Sequence, residues 1–506
     1  MKMLKRQNIA SLLLLYFCTF VNFFNFTNAL WPIPQQWSNG SSTLVLYPSV
    51  EIKLTIISPT SEDLSIKTKK IFNSAKNRFQ QYLIQEKYVS PNVKFNIPTH
   101  PSKKILQLIE IEVYDGNSEL ELGVNESYCL LLDTSRNYYS IDDILKTIEI
   151  MSWNKMNVFH WHIVDATSWP VVSKKFPKLS EKGAYDPKTM IYTKQDIRIV
   201  DEYAKLRGIR VVPEFDMPGH THSISGGYPE LISCINEQPR WDLYAAEPPS
   251  GQLNPARKET YEFIKTLIPE MASYFSDKYY HAGGDEIKTK CWEEDEYVKK
   301  YLSSNSGSST ETLLAKIIDE IQNTVISAHK IPMFWQETVA THDLNITKDA
   351  IIQVWYGNDT VKNVVNKGYK TIVGSAEYWY LDCGHGGWVG NNINGNSWCD
   401  PYKTWQKIYS FNPINGLTDD EAKLVIGGEA LLWSEQADPN NFEQLLWPRS
   451  SAVAEVLWSG PQGLNVNEAL PRLHDLRFRL VGRGVKAEPL QPLWCVLHGG
   501  CDMPNS

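Results

Sequence analysis

Beyond residue 130 the chain repeats one pattern: a short apolar run ending on polar residues, then a longer segment with helical spacing. Eight such runs stand out, at 130–134, 157–165, 209–216, 279–286, 332–337, 351–355, 371–375 and 425–433. Nearly continuous apolar strands alternating with helices read as a parallel sheet buried on both faces. Eight of them predict a (β/α)8 TIM barrel, the main alternative being an open doubly wound sheet. A G-x-G-x-x-G motif after an early strand is missing, which lowers the nucleotide-binding option. Upstream the rhythm differs. Residues 30–130 mix β-rich runs (54–57, 105–113, 128–132) with a helical stretch at 66–86, an α+β pattern. The expected layout is a leader over 1–29, a smaller α+β domain over 30–130 and an α/β barrel over 131–506.

The phase of the polar residues carries the functional signal. Arg136, Asp165, Asp216, Glu286, Glu337, Trp355, Asp382 and Glu435 all fall at or just past the C-terminal ends of the runs. In a barrel, that is the face on which active sites are built. Charges scattered at random would not keep this phase. An insertion at 384–415, rich in Gly, Asn and Trp, reads as a surface loop, and 303–309 as a short Ser/Gly linker.

Composition narrows the reading. Of 17 Trp, ten lie from Trp335 onward. Most are core, but such a surplus also supplies flat platforms for sugar rings. Lys2, Lys5 and Arg6 precede an apolar stretch at 12–24, and Thr27-Asn28-Ala29 offers small residues for cleavage, the pattern of a signal peptide. The run is short and interrupted for a membrane span, so a mature chain starting near Leu30 is expected, without membrane insertion. Its loss takes the formal charge from -8 to -11, which disfavours nucleic acid as a partner. Seven Cys remain outside the leader, and in an exported chain they suggest disulfides. Cys383 with Cys399 and Cys495 with Cys501 are close pairs. Cys234 and Cys291 flank a candidate functional stretch, and Cys129, in a strand-like run, is left over as a buried thiol. Sequons at Asn39, Asn125, Asn345 and Asn358 agree with export to the lysosome or the outside. Neither C-x-x-C nor a Cys/His cluster appears, so no metal and no cofactor are expected.

Three strand ends carry the chemistry. His281-Ala282-Gly283-Gly284-Asp285-Glu286 delivers two consecutive carboxylates after two glycines. Neighbours in a regular strand point to opposite faces, so both reach one pocket only if the strand is ending there. His160-Trp161-His162 marks the second end. A His-x-His pair suits a metal-dependent amidohydrolase barrel, but later strand ends bring no His, and His160 reads better as a satisfied core histidine. Pro218-Gly219-His220 turns a histidine toward the pocket, where it can tune a carboxylic acid.

Taken together, these segments resemble glycoside hydrolase family 20, the β-N-acetylhexosaminidases. The resemblance rests on Asp133-Thr134-Ser135-Arg136, Trp161-His162-Ile163-Val164-Asp165, Glu214-Phe215-Asp216-Met217-Pro218-Gly219-His220 and Gly283-Gly284-Asp285-Glu286. It continues through Trp335-Gln336-Glu337, Trp379-Tyr380-Leu381-Asp382 and Gly427-Gly428-Glu429 with Trp433-Ser434-Glu435. Seven motifs in family order span nearly the whole barrel. The resemblance implies a retaining exo-glycosidase acting on a glycan or glycoconjugate, with a homodimer as candidate assembly. It implies substrate-assisted catalysis, an exception to the two-carboxylate scheme. Glu286 would be acid/base, Asp285 would orient the acetamido group, and Tyr380 would donate to its carbonyl. Trp335, Trp355 and Trp433 would wall the sugar, Arg136 and Glu435 would hold ring hydroxyls, and Asp382 would face the C6 side. Asp165 and His220 would form a relay raising the pKa of Glu286. The family also supports a Cys234–Cys291 bridge. Two positions depart from human-type relatives: Ala166 replaces an Asp, and Phe478 stands where they carry a Cys. A non-catalytic sugar-binding protein is the remaining alternative, but it has no need of an Asp-Glu pair.

Overall fold

The computed structural model describes residues 45–57, 62–85, 105–114, 127–461, 464–499 and 501. The expected leader and the sequons at Asn39 and Asn125 lie outside the described residues. Strands β1 (Val45–Ile57) and β2 (Ile105–Tyr114) pair in parallel, and helix α1 (Glu62–Gln85) packs on β1. Phe72 and Phe79 of α1 share a small core with Val50 and Ile52.

The barrel strands are β3 (Ser127–Asp133), β4 (Val158–Val164), β5 (Arg210–Phe215), β6 (Tyr279–His281), β7 (Ile331–Trp335), β8 (Ile351–Val354), β9 (Lys370–Val373) and β10 (Val425–Leu432). They are parallel and close in sequence order, β10 pairing back onto β3. Each of the eight predicted runs falls on one strand. The run 128–132, read as part of the upstream domain, lies within β3. The largest difference in length is at β6, which stops at His281 rather than running to Glu286.

Both faces of the strands are buried, with different chemistry. Leu130, Leu132, Phe159, Trp161, Ile163 and Val211 point out into the core beneath the helices. Cys129, Val158, Val212, Tyr279, Met333, Ile351 and Ile372 form an apolar layer inside the barrel. Two residues further along the strands, the inward positions become polar: His160, Glu214, His281, Gln353 and, from β10, Glu429. The strand period of two carries this change straight to the C-terminal rim. That layering is why the strands read as apolar runs ending on polar residues.

The bridges are Cys234–Cys291, Cys383–Cys399 and Cys495–Cys501, with Cys129 a buried free thiol. The second clips the base of the 384–415 insertion, most of which is loop apart from a short helix, Trp405–Tyr409. The expected linker at 303–309 begins inside a helix, Glu296–Ser304, and leads to a second, Thr310–Ser327, which Ser309 caps through a capping box with Thr312. Among the described residues no helix is long and apolar enough to cross a membrane.

Candidate active site

The turn after β6 builds the centre. Gly283 and Gly284 take φ of 69° and 92° and Glu286 takes 51°, all left-handed. This reversal breaks the alternation of the strand and lets Asp285 and Glu286 open onto the same cleft. Only glycine fits at 283: a Cβ there would lie 1.5 Å from Asp216 Oδ1. Asp216 in turn accepts the N–H of Gly284 at 3.0 Å. His220 is also left-handed, φ 52°. Strained non-glycine backbone at both partners of one ion pair is a mark of a functional site.

His220 stands among three acids. Its Nε2 lies 3.2 Å from Glu286 Oε2 and 3.8 Å from Asp285 Oδ2, and its Nδ1 lies 3.3 Å from Asp165 Oδ1. Arg136 approaches from β3, with Nη1 2.8 Å from Asp165 Oδ2 and with Nε and Nη2 on Glu247 Oε1 at 2.8 and 2.7 Å. The guanidinium also packs over the Trp433 ring, 5.1 Å from its centroid.

The cleft is walled by Trp335, Trp355, Tyr380 and Trp433 and is also lined by Asp382, Glu435 and Arg136. The indole nitrogens of two of these walls are tethered. Trp335 donates to Glu214 Oε1 at 2.7 Å and Trp355 to Glu337 Oε1 at 3.0 Å. All eleven catalytic and binding residues expected from sequence lie in this cleft or, for Asp165, directly behind it.

The electrostatics correct one expectation. Burial pushes the Glu286 carboxyl up, but the hydrogen bond and charge of His220 outweigh it and hold Glu286 below the usual carboxylate range. His220 itself is disfavoured as a cation by burial, yet Asp165, Asp285 and Glu286 drive it well above an ordinary histidine. The substrate-free pair is therefore imidazolium and carboxylate. Burial pushes Asp285 up to about 6, Asp382 to about 7 and Glu337 to about 8, with Asp285 adding to the effect on Glu337.

Stability should follow. A carboxyl whose pKa is higher folded than unfolded makes the native state bind more protons, so stability falls as pH rises through that window. The same sign holds for His160, raised to about 9 by Glu429 and Glu214 against its own burial. Melting temperature is expected to drop steadily between pH 5 and 9, by about 4 °C or more. Calorimetry showing a maximum at pH 8 would contradict this ionisation pattern.

His160, Glu214 and His281 bring donor atoms within 4.8 Å of one another, the cluster a metal-dependent hydrolase would want. Several of these atoms already have partners. His160 Nδ1 faces Glu429 at 3.1 Å, and Glu214 already serves Trp335, His162 and His281. His160 is held between Glu214 and Glu429, while His281 Nε2 has no hydrogen-bond partner.

Sequence reading missed Glu247, Trp388 and Trp398, which also line the cleft. Glu247 comes from the long loop between β5 and β6 and the tryptophans from the clipped insertion, so none stands at a strand end. The only available signal was the Trp surplus near Cys399.

Residues 128–461 match the family described as glycosyl hydrolase family 20, catalytic domain, and residues 30–142 the one described as beta-acetyl hexosaminidase like. The chain is 40% identical over 388 residues to the chitooligosaccharidolytic beta-N-acetylglucosaminidase of Bombyx mori, covering 73% of this chain and 63% of that protein. It is 39% identical over 377 residues to the beta-hexosaminidase subunit alpha of Bos taurus, covering 72% and 66%. The aligned part thus spans a little under two thirds of these relatives. In fold it is similar to the GH20 exo beta-N-acetylglucosaminidase of Vibrio harveyi, with a TM-score of 0.73 and 19% identity over 93% of this chain and 80% of that one. The chain belongs to glycosyl hydrolase family 20.

Proposed function

We propose that this chain is a retaining exo-glycosidase that removes terminal β-linked N-acetylhexosamine through an oxazolinium intermediate. The observation that carries this is the Asp285–Glu286 pair: two consecutive carboxylates open onto one cleft walled by Trp335, Trp355, Trp433 and Tyr380. Asp285 orients the substrate's acetamido group so that its carbonyl attacks the anomeric carbon, and Tyr380 donates to that carbonyl. Glu286 protonates the leaving oxygen and then takes a proton from water. Its side chain is 32% exposed. A bound sugar buries it, adding to the one influence that raises its pKa and returning the shared proton from His220. Arg136 and Glu435 hold ring hydroxyls, and Asp382 faces the C6 side.

Release of a chromophore from the β-N-acetylglucosaminide and the β-N-acetylgalactosaminide, with and without a chelator, tests this reading. Chelator-insensitive cleavage is expected, with a plain glucoside inert. Cleavage of amides abolished by chelator would replace it with the amidohydrolase.

Asp382 sets a further expectation. The family's sulfate-tolerant members carry Asn followed by Arg where this chain has Asp382-Cys383. A carboxylate near a 6-sulfate in a half-buried pocket costs about 1–4 kcal/mol. Because Asp382 ionises only near pH 7, discrimination against the 6-sulfated glucosaminide should widen as pH rises from 5 to 8. Equal efficiency on both substrates at pH 8 would remove the idea.

The signal peptide, the boundary near residue 130 and passage to the lysosome or the outside complete the proposal. Of the described sequons, Asn345 is exposed, whereas Asn358 is partly buried with its Nδ2 3.3 Å from Asn412 O. Asn345 is therefore the better acceptor.

A further inference from the structure

The reaction above employs Glu286, His220 and Asp165 and leaves the buried groups beneath them without a task. Asp165 Oδ2, turned away from His220, lies 3.0 Å from His162 Nε2. His162 Nδ1 lies 2.6 Å from Glu214 Oε2, and Glu214 Oε1 accepts the Trp335 indole at 2.7 Å. Close polar contacts thus run Glu286–His220–Asp165–His162–Glu214–Trp335, from the acid to the floor of the sugar pocket. His162 and Glu214 face each other across β4 and β5 in register, both fully buried.

We infer that His162 is a positioning residue: a doubly protonated imidazolium whose two N–H groups clamp Asp165 and Glu214, fixing relay and pocket wall to each other. This rests on the glycosidase reading of the site. An ionised carboxylate only accepts hydrogen bonds, so a ring lying between two of them donates from both nitrogens. The other neighbours are Arg136, whose Nη1 is 3.2 Å from His162 Nε2, the carboxylate of Asp133, and the Trp433 ring at 4.9 Å. Arg136 Nη1 is already engaged by Asp165 at 2.8 Å and Asp133 at 3.5 Å. On its other side Glu214 meets His160 Nε2 at 3.0 Å and His281 Nδ1 at 3.2 Å. A second buried cation beside Arg136 compensates Asp165 and Glu214, which would otherwise be costly to ionise there. Burial opposes that cation, but Glu214, Asp165 and Asp133 hold His162 well above an ordinary histidine.

Nitrogen-15 histidine labelling of the full chain tests this without reference to activity. Both ring nitrogens of His162, assigned by loss of the signal in His162→Gln, are expected to stay protonated from pH 5 to 8. Should that variant not fold, Glu214→Gln shifts the same resonances and serves for assignment. An Nε2 without a proton, accepting from Arg136, overturns the proposal even if the enzyme is a glycosidase. In kinetics, His162→Gln should lower kcat about tenfold or more on substrates with poor leaving groups and less than about threefold on activated aryl glycosides. KM should stay within about twofold of the parent. A loss that is equal on both substrates, or seen only in the melting temperature, also overturns it.

Discussion

Replacing Glu286 with Gln is expected to leave the fold and sugar binding intact while cutting kcat by about 10²–10⁴ on natural, poor leaving groups. The substitution keeps the size of the side chain and removes the proton it donates. Its cost must therefore scale with how much help the departing oxygen needs. Activated aryl glycosides, which leave without a proton, should retain far more activity. The His220 ion pair adds a second signature. With the carboxylate gone, His220 loses one of the three acids that stabilise its cation, so its pKa should fall. The pH profile of the residual activity should lose the limb that reports the shared proton. A uniform loss across leaving groups would show that Glu286 is not the acid.

The barrel and most of the cleft were legible because both follow strand periodicity. Inward residues alternate along each run, and the rim falls where apolar character gives way to charge. That phase marks Asp165, Trp355 and Glu435, while the roles expected of them come with the resemblance to the family. The Asp285–Glu286 pair needed more: a turn after His281, which Gly283 and Gly284 signalled without fixing where β6 would end. What stayed hidden depends on distance in space. Glu247 reaches Arg136 from 111 residues away, out of a loop without regular spacing. The pKa of Glu286 was read in the wrong direction because a relay was assumed to raise it. The structure places His220 close enough to pair with it as a cation, and that contact outweighs burial.

Asp285→Asn should also be severe, but without the dependence on leaving group that marks the loss of the acid. In the proposed reaction Asp285 acts while the acetamido carbonyl closes on the anomeric carbon, before or as the aglycone departs. Positive charge then spreads over the new ring in a site walled by Trp335, Trp355 and Trp433, where solvent offers little screening. Burial holds the Asp285 carboxyl at about 6, so it ionises most readily once a cation forms beside it. A neutral amide gains nothing from that charge. The loss in kcat is expected at about 10²–10³, the scale of a single preorganised electrostatic partner, for activated and natural substrates alike. A thiazoline mimic of the bicyclic intermediate should bind the parent far more tightly than substrate does and lose that advantage in the variant. Ordinary retaining enzymes instead place a nucleophilic carboxylate about 5–5.5 Å from the acid. Trapping a glycosyl ester on any Asp or Glu, or finding inverted product by NMR, would rule out the acetamido group as nucleophile and assign Asp285 a different role.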